Sequence, residues 1–451
     1  MTESSVSQVQ KSTQLDSLAK DAVVALFIKV AGLILIYVLQ ILLARWMGKT
    51  EYGIYEYVIA WTLLLAIPAG LGLPRTTLRL ISEYRVKQEW SSLRGILRGS
   101  WLLTLLSACL VCLIAAVVIW SLNYFHNFIY AIPLLVGLGL VVLQALVQLQ
   151  VETARAMNDI ALAYTPSLII WPILVLSGGF IFREKNHFLT SLPMIGIATS
   201  MLFIVCLFQS FLLRQTVNNQ IKPATPNYAY RQWITISLVL LLQRAFLIIL
   251  DETDIIMVGS LIGPAAAGTY NVAAKTALWV TFILETMNIV VAPAFATLYT
   301  QGDIQGLQKV VSQVAVWIFL PSLSIGCILL IFTEPVLSIF GPDFIVASIS
   351  LKILILGRLI DSFCGSVGAL MVMTGHQNKA LPVFGCSAIM NLVLNAIAIP
   401  KFGIMGAAIT TTFTMIVWNV WLSTLVVKYI GIRPWVFYSL FKLGEKSTTE
   451  S

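Results

Sequence analysis

Ten ionisable side chains interrupt otherwise apolar runs of this sequence: Lys29, Arg244, Asp251, Glu252, Asp254, Lys275, Glu285, Lys352, Arg358 and Asp361. A charge facing hydrocarbon at a bilayer centre costs ~2.5–3.5 kcal/mol on insertion scales, so by default these groups face a protein interior or a wet cavity. Arg244, Asp251 and Asp254 are spaced to share one helical face, with Glu252 turned away. Such acids suit a proton or sodium site, and equally an internal Arg–Asp pair that fixes packing. Lys29 and Arg244 either line a cavity open to the inner side or snorkel to the inner interface. Gln144, Gln148, Glu152, Arg155 and Asp159 form a polar stripe at helical spacing that suits a cavity wall, with pairing to neighbouring helices as the alternative. Arg358 and Asp361 lie one turn apart and can satisfy each other, and Asn391 and Asn395 repeat an i, i+4 geometry typical of hydrogen bonds between helices. Lys275 lies early in its span, either lining a cavity or at the interface.

Catalysis finds no constellation here. His126, His187 and His376 fall in loops without the spacing of a metal site or a triad, and Cys109-x-x-Cys112 reads as helix packing within an apolar run. The loops are too short for the acceptor chemistry of a membrane polymerase or ligase. The reading is a transporter rather than an enzyme, with no metal.

The elements that position these residues follow from composition. With 59% apolar residues, 11% charged residues and a mean hydropathy of +0.90 over 451 positions, the chain has too little polar surface for a water-soluble globule. Its apolar runs predict an all-α integral membrane protein with spans near 22–46, 54–74, 100–122, 130–153, 162–182, 191–213, 233–262, 268–298, 311–332, 350–374, 380–400 and 404–428. The alternation a β-barrel needs is missing. One set of loops holds most of the Lys and Arg, including Arg75, Arg79, Arg85, Lys87, Arg94 and Arg98. The other set holds Arg45, Lys49, Arg183, Lys185 and Lys401. That bias predicts cytoplasmic N- and C-termini. It also accounts for the net charge of +8 without invoking nucleic acid. The stretch Arg75–Arg98 reads as an inner loop carrying an amphipathic helix.

Gly48-x4-Gly53-x-Tyr55 recurs as Gly263-x4-Gly268-x-Tyr270 at an offset of 215, which also superposes Lys29 on Arg244. Each copy reads as a tight outer corner. Two parallel repeats of six spans follow, with a cavity expected between them. The expected organisation is a polar cytoplasmic N-terminus (1–21), an N-lobe (22–213), a cytoplasmic linker (214–232), a C-lobe (233–428) and a cytoplasmic tail (429–451). The acids at 251 and 254 have no counterparts in the first repeat, whose equivalent positions are Ile36 and Leu39.

At this point the chain resembles the Wzx-like lipid-linked oligosaccharide flippases, also called polysaccharide biosynthesis transporters, within the superfamily that includes the multidrug and toxin extruders. The carriers are Leu43-Ala-Arg-Trp-Met-Gly48 with Tyr52-Gly-Ile-Tyr55, Gly70-Leu-Gly-Leu-Pro74 with Arg79, and Asp254-Ile-Ile-Met-Val-Gly259. Then follow Ala292-Pro-Ala-Phe295, Phe340-Gly341 with Phe344, Gly375-His-Gln-Asn378, and Asn391-Leu-Val-Leu-Asn395 before Ile399-Pro-Lys-Phe-Gly-Ile-Met-Gly-Ala-Ala408. The resemblance covers the chain almost end to end. It implies flipping of an undecaprenyl-diphosphate-linked oligosaccharide across the bacterial inner membrane by alternating access, alongside other polysaccharide-assembly proteins. Under it, Lys29, Arg244, Lys275 and Arg358 are the cations that meet the diphosphate or acidic sugars. Asp251 and Asp254 are the candidates for coupling to H+ or Na+, and no nucleotide-binding loop points to ATP. The alternative within the same superfamily is a cation-coupled exporter of drugs or other small molecules.

Overall fold

The computed structural model describes residues 3–186 and 189–436; His187 and the tail from 437 onward lie outside the described residues. Among the described residues there are helices and short connections and no strand. In chain order the helices are α1 (Glu3–Gly70), α2 (Leu73–Lys87), α3 (Trp90–His126), α4 (Ala131–Ala156), α5 (Ile160–Thr165), α6 (Trp171–Asn186) and α7 (Ser191–Gln220). There follow α8 (Tyr230–Leu261), α9 (Pro264–Thr300), α10 (Ile304–Ile331), α11 (Thr333–Ser338), α12 (Ser348–Cys364), α13 (Val367–Met373) and α14 (Gln377–Ile430). A π-helical turn, Pro166–Ile170, joins α5 to α6 as one span.

Nine helices among the described residues are long and apolar enough to cross a membrane. Two of them are pairs of spans. Gly48 (φ 73°) breaks α1 and Gly403 (φ 62°) breaks α14, each at a backbone angle that costs glycine nothing and other residues strain. With α12 and its continuation α13, these account for the twelve apolar runs. The amphipathic segment after the second span is α2. It buries Leu73, Leu80, Ile81 and Tyr84 against α3 and α4, and Arg85 Nη1 donates to the carbonyl of Ala156 at 2.8 Å.

Exposure is the reverse of a soluble protein's. On α3, Leu106, Leu113 and Val117 are 58–65% exposed, as lipid-facing side chains should be. Association of such helices gains little from expelling water and rests on close packing and internal hydrogen bonds.

The chain divides into two compact units, Met1–Leu42 with Trp61–Ala245, and Leu43–Ala60 with Phe246–Ser451. The first is cored by Leu80, Ile81, Leu93, Ile96, Met157 and Trp233. The start of α8 belongs to it because Trp233 is fully buried there and Ser237 Oγ lies 2.8 Å from Thr76 Oγ1. The second is cored by Phe295, Leu307, Val311, Ile318, Leu370 and Val426, with α12 packed on α9, α10 and α14. Residues 43–60 belong to it through the corner glycines of the repeat. A Cβ at Gly53 would stand 1.8 Å from the carbonyl oxygen of Pro264, and one at Gly268 would stand 2.4 Å from that of Lys49. The two corners therefore meet backbone to backbone.

Candidate functional site

Within the first unit the charged residues gather around α4. Arg155 Nη1 lies 2.6 Å from Glu152 Oε2. Arg75, on α2, is within electrostatic reach of Arg244, Glu152 and Arg155; burial first, and Arg244 second, push its guanidinium below its ordinary value. Lys29 Nζ stands 4.8 Å from the ring centroid of Tyr164, a cation–π distance, and Tyr164 is in turn within reach of Arg155 and Glu152. Arg244 is exposed and Lys29 half-buried. The set has cations on α1, α2, α4 and α8 against the acid Glu152, an arrangement that favours an anion. Higher on α4, Gln144 Nε2 donates to Thr62 Oγ1 at 3.3 Å and Gln148 is half-buried. Asp159 caps α5, accepting from the Leu162 amide at 3.0 Å, and so has a local structural role.

Within the second unit a buried polar network centres on Asp254, which is 4% exposed. Asn395 Nδ2 donates to Asp254 Oδ1 at 2.7 Å, and Tyr270 Oη and Thr411 Oγ1 donate to Oδ2, Tyr270 at 2.8 Å. Asn395 also donates to Asn391 Oδ1 at 3.0 Å and accepts from Thr410. Here α8, α9 and both halves of α14 converge on one buried carboxylate, with hydroxyls from Tyr270 and Thr411 and the amide nitrogen of Asn395 donating to it, a setting suited to a proton or a small hard cation.

A second buried cluster lies nearby in sequence. Lys275 Nζ is 3.9 Å from Glu252 Oε1, and Glu56, 5% exposed, is within reach of both. Tyr52 and Asn271 hydrogen-bond Glu56, and Asn271 Nδ2 also donates to Tyr52 Oη at 3.0 Å. Two carboxylates thus share one ammonium. On α12, Arg358 is half-buried and its Nε has no hydrogen-bond partner among the described residues, while Asn419 donates to Asp361 Oδ1 at 2.8 Å. Arg358 is within electrostatic reach of Asp361, Tyr270 and Lys275.

The structure therefore joins Asp254 to the Asn391 and Asn395 pair, from which the sequence left it separate, and sets Arg244 near Arg75 and Lys29 against Tyr164. Asp251 is exposed. Glu252, expected to be turned away from the working face, is buried against Lys275. As site residues, sequence reasoning passed over Glu56, Tyr164, Thr410 and Thr411, and it read Arg75 only as a loop cation and Tyr270 only as part of a corner. Glu56 carried a usable signal, an acid in the first turns of an apolar run, whereas the threonines and tyrosines are ordinary in membrane helices.

These features are those of a multi-span membrane protein, and the comparisons give its class, a membrane transporter. The chain matches the polysaccharide biosynthesis protein family over residues 18–299 and the MatE family over residues 240–397. It belongs to the polysaccharide biosynthesis protein family. It is 22% identical over 396 residues to a probable low-salt glycan biosynthesis flippase, Agl15, of Haloferax volcanii, covering 86% of this chain and 79% of that one. An uncharacterized membrane protein of Methanocaldococcus jannaschii is 22% identical over 432 residues, covering 90% and 83%. Among solved structures, the fold is that of an inward-facing MATE transporter of the MOP superfamily (TM-score 0.71, 13% identity, 95% of this chain and 100% of that one). It is also that of the lipid II flippase MurJ in an inward closed conformation (TM-score 0.67, 15% identity, 95% and 93%).

Proposed function

We propose that this protein flips a lipid-linked oligosaccharide across a membrane for surface glycan assembly, by alternating access and with an ion gradient as the driving force. The observation that carries the reading is the surplus of cations in the first unit, Lys29, Arg75, Arg155 and Arg244 against Glu152, in a chain of the polysaccharide biosynthesis protein family. A diphosphate entering a low dielectric needs compensating charge, and guanidinium groups meet it with paired hydrogen bonds. Lys275 and Arg358 are further proposed cargo contacts. The orphaned Nε of Arg358 supports its part, whereas Lys275 must first leave Glu252. Undecaprenyl diphosphate is the carrier, the bacterial inner membrane the location and cytoplasmic the side of both termini in this reading. Asp254, with Asn391, Asn395, Thr410 and Thr411, is the proposed H+ or Na+ site, and the exposed Asp251 is the weaker candidate.

A cation-coupled small-molecule exporter is the competing reading, favoured by the buried acids Asp254, Glu56 and Glu252 in a MATE-like fold. Deletion of the gene separates the two. A flippase leaves lipid-linked sugar intermediates on the inner leaflet, whereas unchanged intermediates with altered drug tolerance sink the flippase assignment.

A further inference from the structure

The first unit holds a cavity of about 510 Å³ between the start of α3 and the end of α7, and none of the charged residues of the site described above lines it. Three guanidinium groups line it, Arg94 and Arg98 from successive turns of α3 and Arg214 from α7, and none of its lining residues is acidic. Like charges so gathered repel one another, and an anion relieves the repulsion. Among the described residues, Arg94 alone of the three has a hydrogen-bonded anchor, to neutral groups: its Nε donates to the carbonyl of Lys222 at 3.0 Å and Nη2 to that of Ile221 at 3.3 Å. Arg98 and Arg214 are exposed.

The rest of the lining is uncharged, with Ser210 and Asn218 beside a mostly apolar wall. Leu97, Leu213, Val217 and the half-buried Trp101 make an apolar wall, with an indole at the height where cations give way to hydrocarbon-facing side chains. One turn further along each helix that transition is complete. Leu102, Leu105 and Leu106 on α3 and Leu207, Phe208 and Phe211 on α7 are 43–60% exposed. A site for a soluble anion has no use for this continuation.

The geometry points to a binding site for the phosphate headgroup of an anionic membrane phospholipid, with its glycerol against Trp101 and Leu213 and its acyl chains along the exposed faces of α3 and α7. Basic pockets between membrane helices recognise headgroups in this way. The site is independent of the transported cargo. Because Arg94 is tied to residues 221–222, its occupant also secures the start of the segment joining the halves.

Native mass spectrometry of the full chain in detergent tests it, with equimolar phosphatidylglycerol and phosphatidylcholine and, separately, inorganic pyrophosphate as competitor. The wild type should retain phosphatidylglycerol preferentially. Each basic residue near an anionic headgroup is worth about fivefold in binding, so the double variant Arg98→Gln/Arg214→Gln should lose about 25-fold, and Arg98→Lys/Arg214→Lys should keep most of the preference. Equal retention of the two lipids by the wild type, a comparison that requires no variant, overturns the assignment. So does an unchanged preference in the glutamine variant, or displacement of the lipid by micromolar pyrophosphate, which would mark a soluble-phosphate site.

Discussion

Replacing Asp254 tests the proposed ion site most directly, and its hydrogen bonds determine which replacement is informative. The carboxylate accepts from Tyr270, Asn395 and Thr411. Alanine would orphan all three donors at about 1–3 kcal/mol each, enough to consume most of a protein's margin of stability. Asparagine keeps the shape. If its amide oxygen takes the place of Oδ2, Tyr270 and Thr411 are still satisfied, and its NH2 then opposes the NH2 of Asn395. Asn395 cannot simply turn over, because its own oxygen accepts from Thr410 and its nitrogen donates to Asn391. Two facing amide groups are left without an acceptor, that of Asn395 and the new one, at about 1–3 kcal/mol each, still less than alanine's three orphaned donors together with the cavity it leaves. What asparagine removes is the negative charge that would hold a cation. If sodium binds there, a concentration 100 times its Kd stabilises the wild type by about 2.7 kcal/mol, and Asp254→Asn should forfeit that gain. The assay is thermal unfolding of purified protein in NaCl against KCl at equal ionic strength, alongside gradient-driven flipping in vesicles. A proton site would show no sodium response in the wild type, yet Asp254→Asn would still uncouple transport from the pH gradient. A variant that flips at the wild-type rate with unchanged dependence on both gradients refutes the assignment of Asp254.

Replacing Lys29 and Arg244 together by Ala should abolish transport while leaving folded protein, since Arg244 is exposed and the cation–π contact of Lys29 is worth about 0.5–2 kcal/mol; full transport in the double variant would mean that the pair only snorkels. Thr411→Val removes one hydrogen bond from Asp254 at nearly constant shape and should lower stability by about 1–2 kcal/mol, read by thermal unfolding, with a weakened ion response; no change in either would show that Thr411 merely packs. Gly53→Ala puts a methyl group where Pro264 O already stands and should destabilise the protein by about 1–3 kcal/mol or more; unaltered unfolding would contradict the close corner contact.

Much of this architecture was legible because membrane spans advertise themselves. Long apolar runs set the helices, and glycines at a fixed offset set the corners. Asp254 and Glu252 were visible as well, since charge in an apolar run is rare. Their partners were not. Asp254, Asn395 and Thr411 are brought together from three spans, and no spacing along the chain encodes that meeting. The face assignment on α8 failed for a definite reason: residues 252–256 are buried all round, so the rule that one stripe faces inward does not apply. Glu56 was not singled out although it lies in an apolar run, and the corner beside it is packed inside the second unit.

That packing sets a timetable for synthesis. Residues 43–60 leave the ribosome with Gly53 already shaped to receive Gly268, which follows 215 residues later. At 5–20 residues per second the wait is about 10–40 s. Throughout it Glu56 is in or beside the membrane without Lys275. A nascent chain with so long a delay between a segment and its seat is one for which the pace of translation, or a chaperone in the membrane, bears on the yield of folded protein.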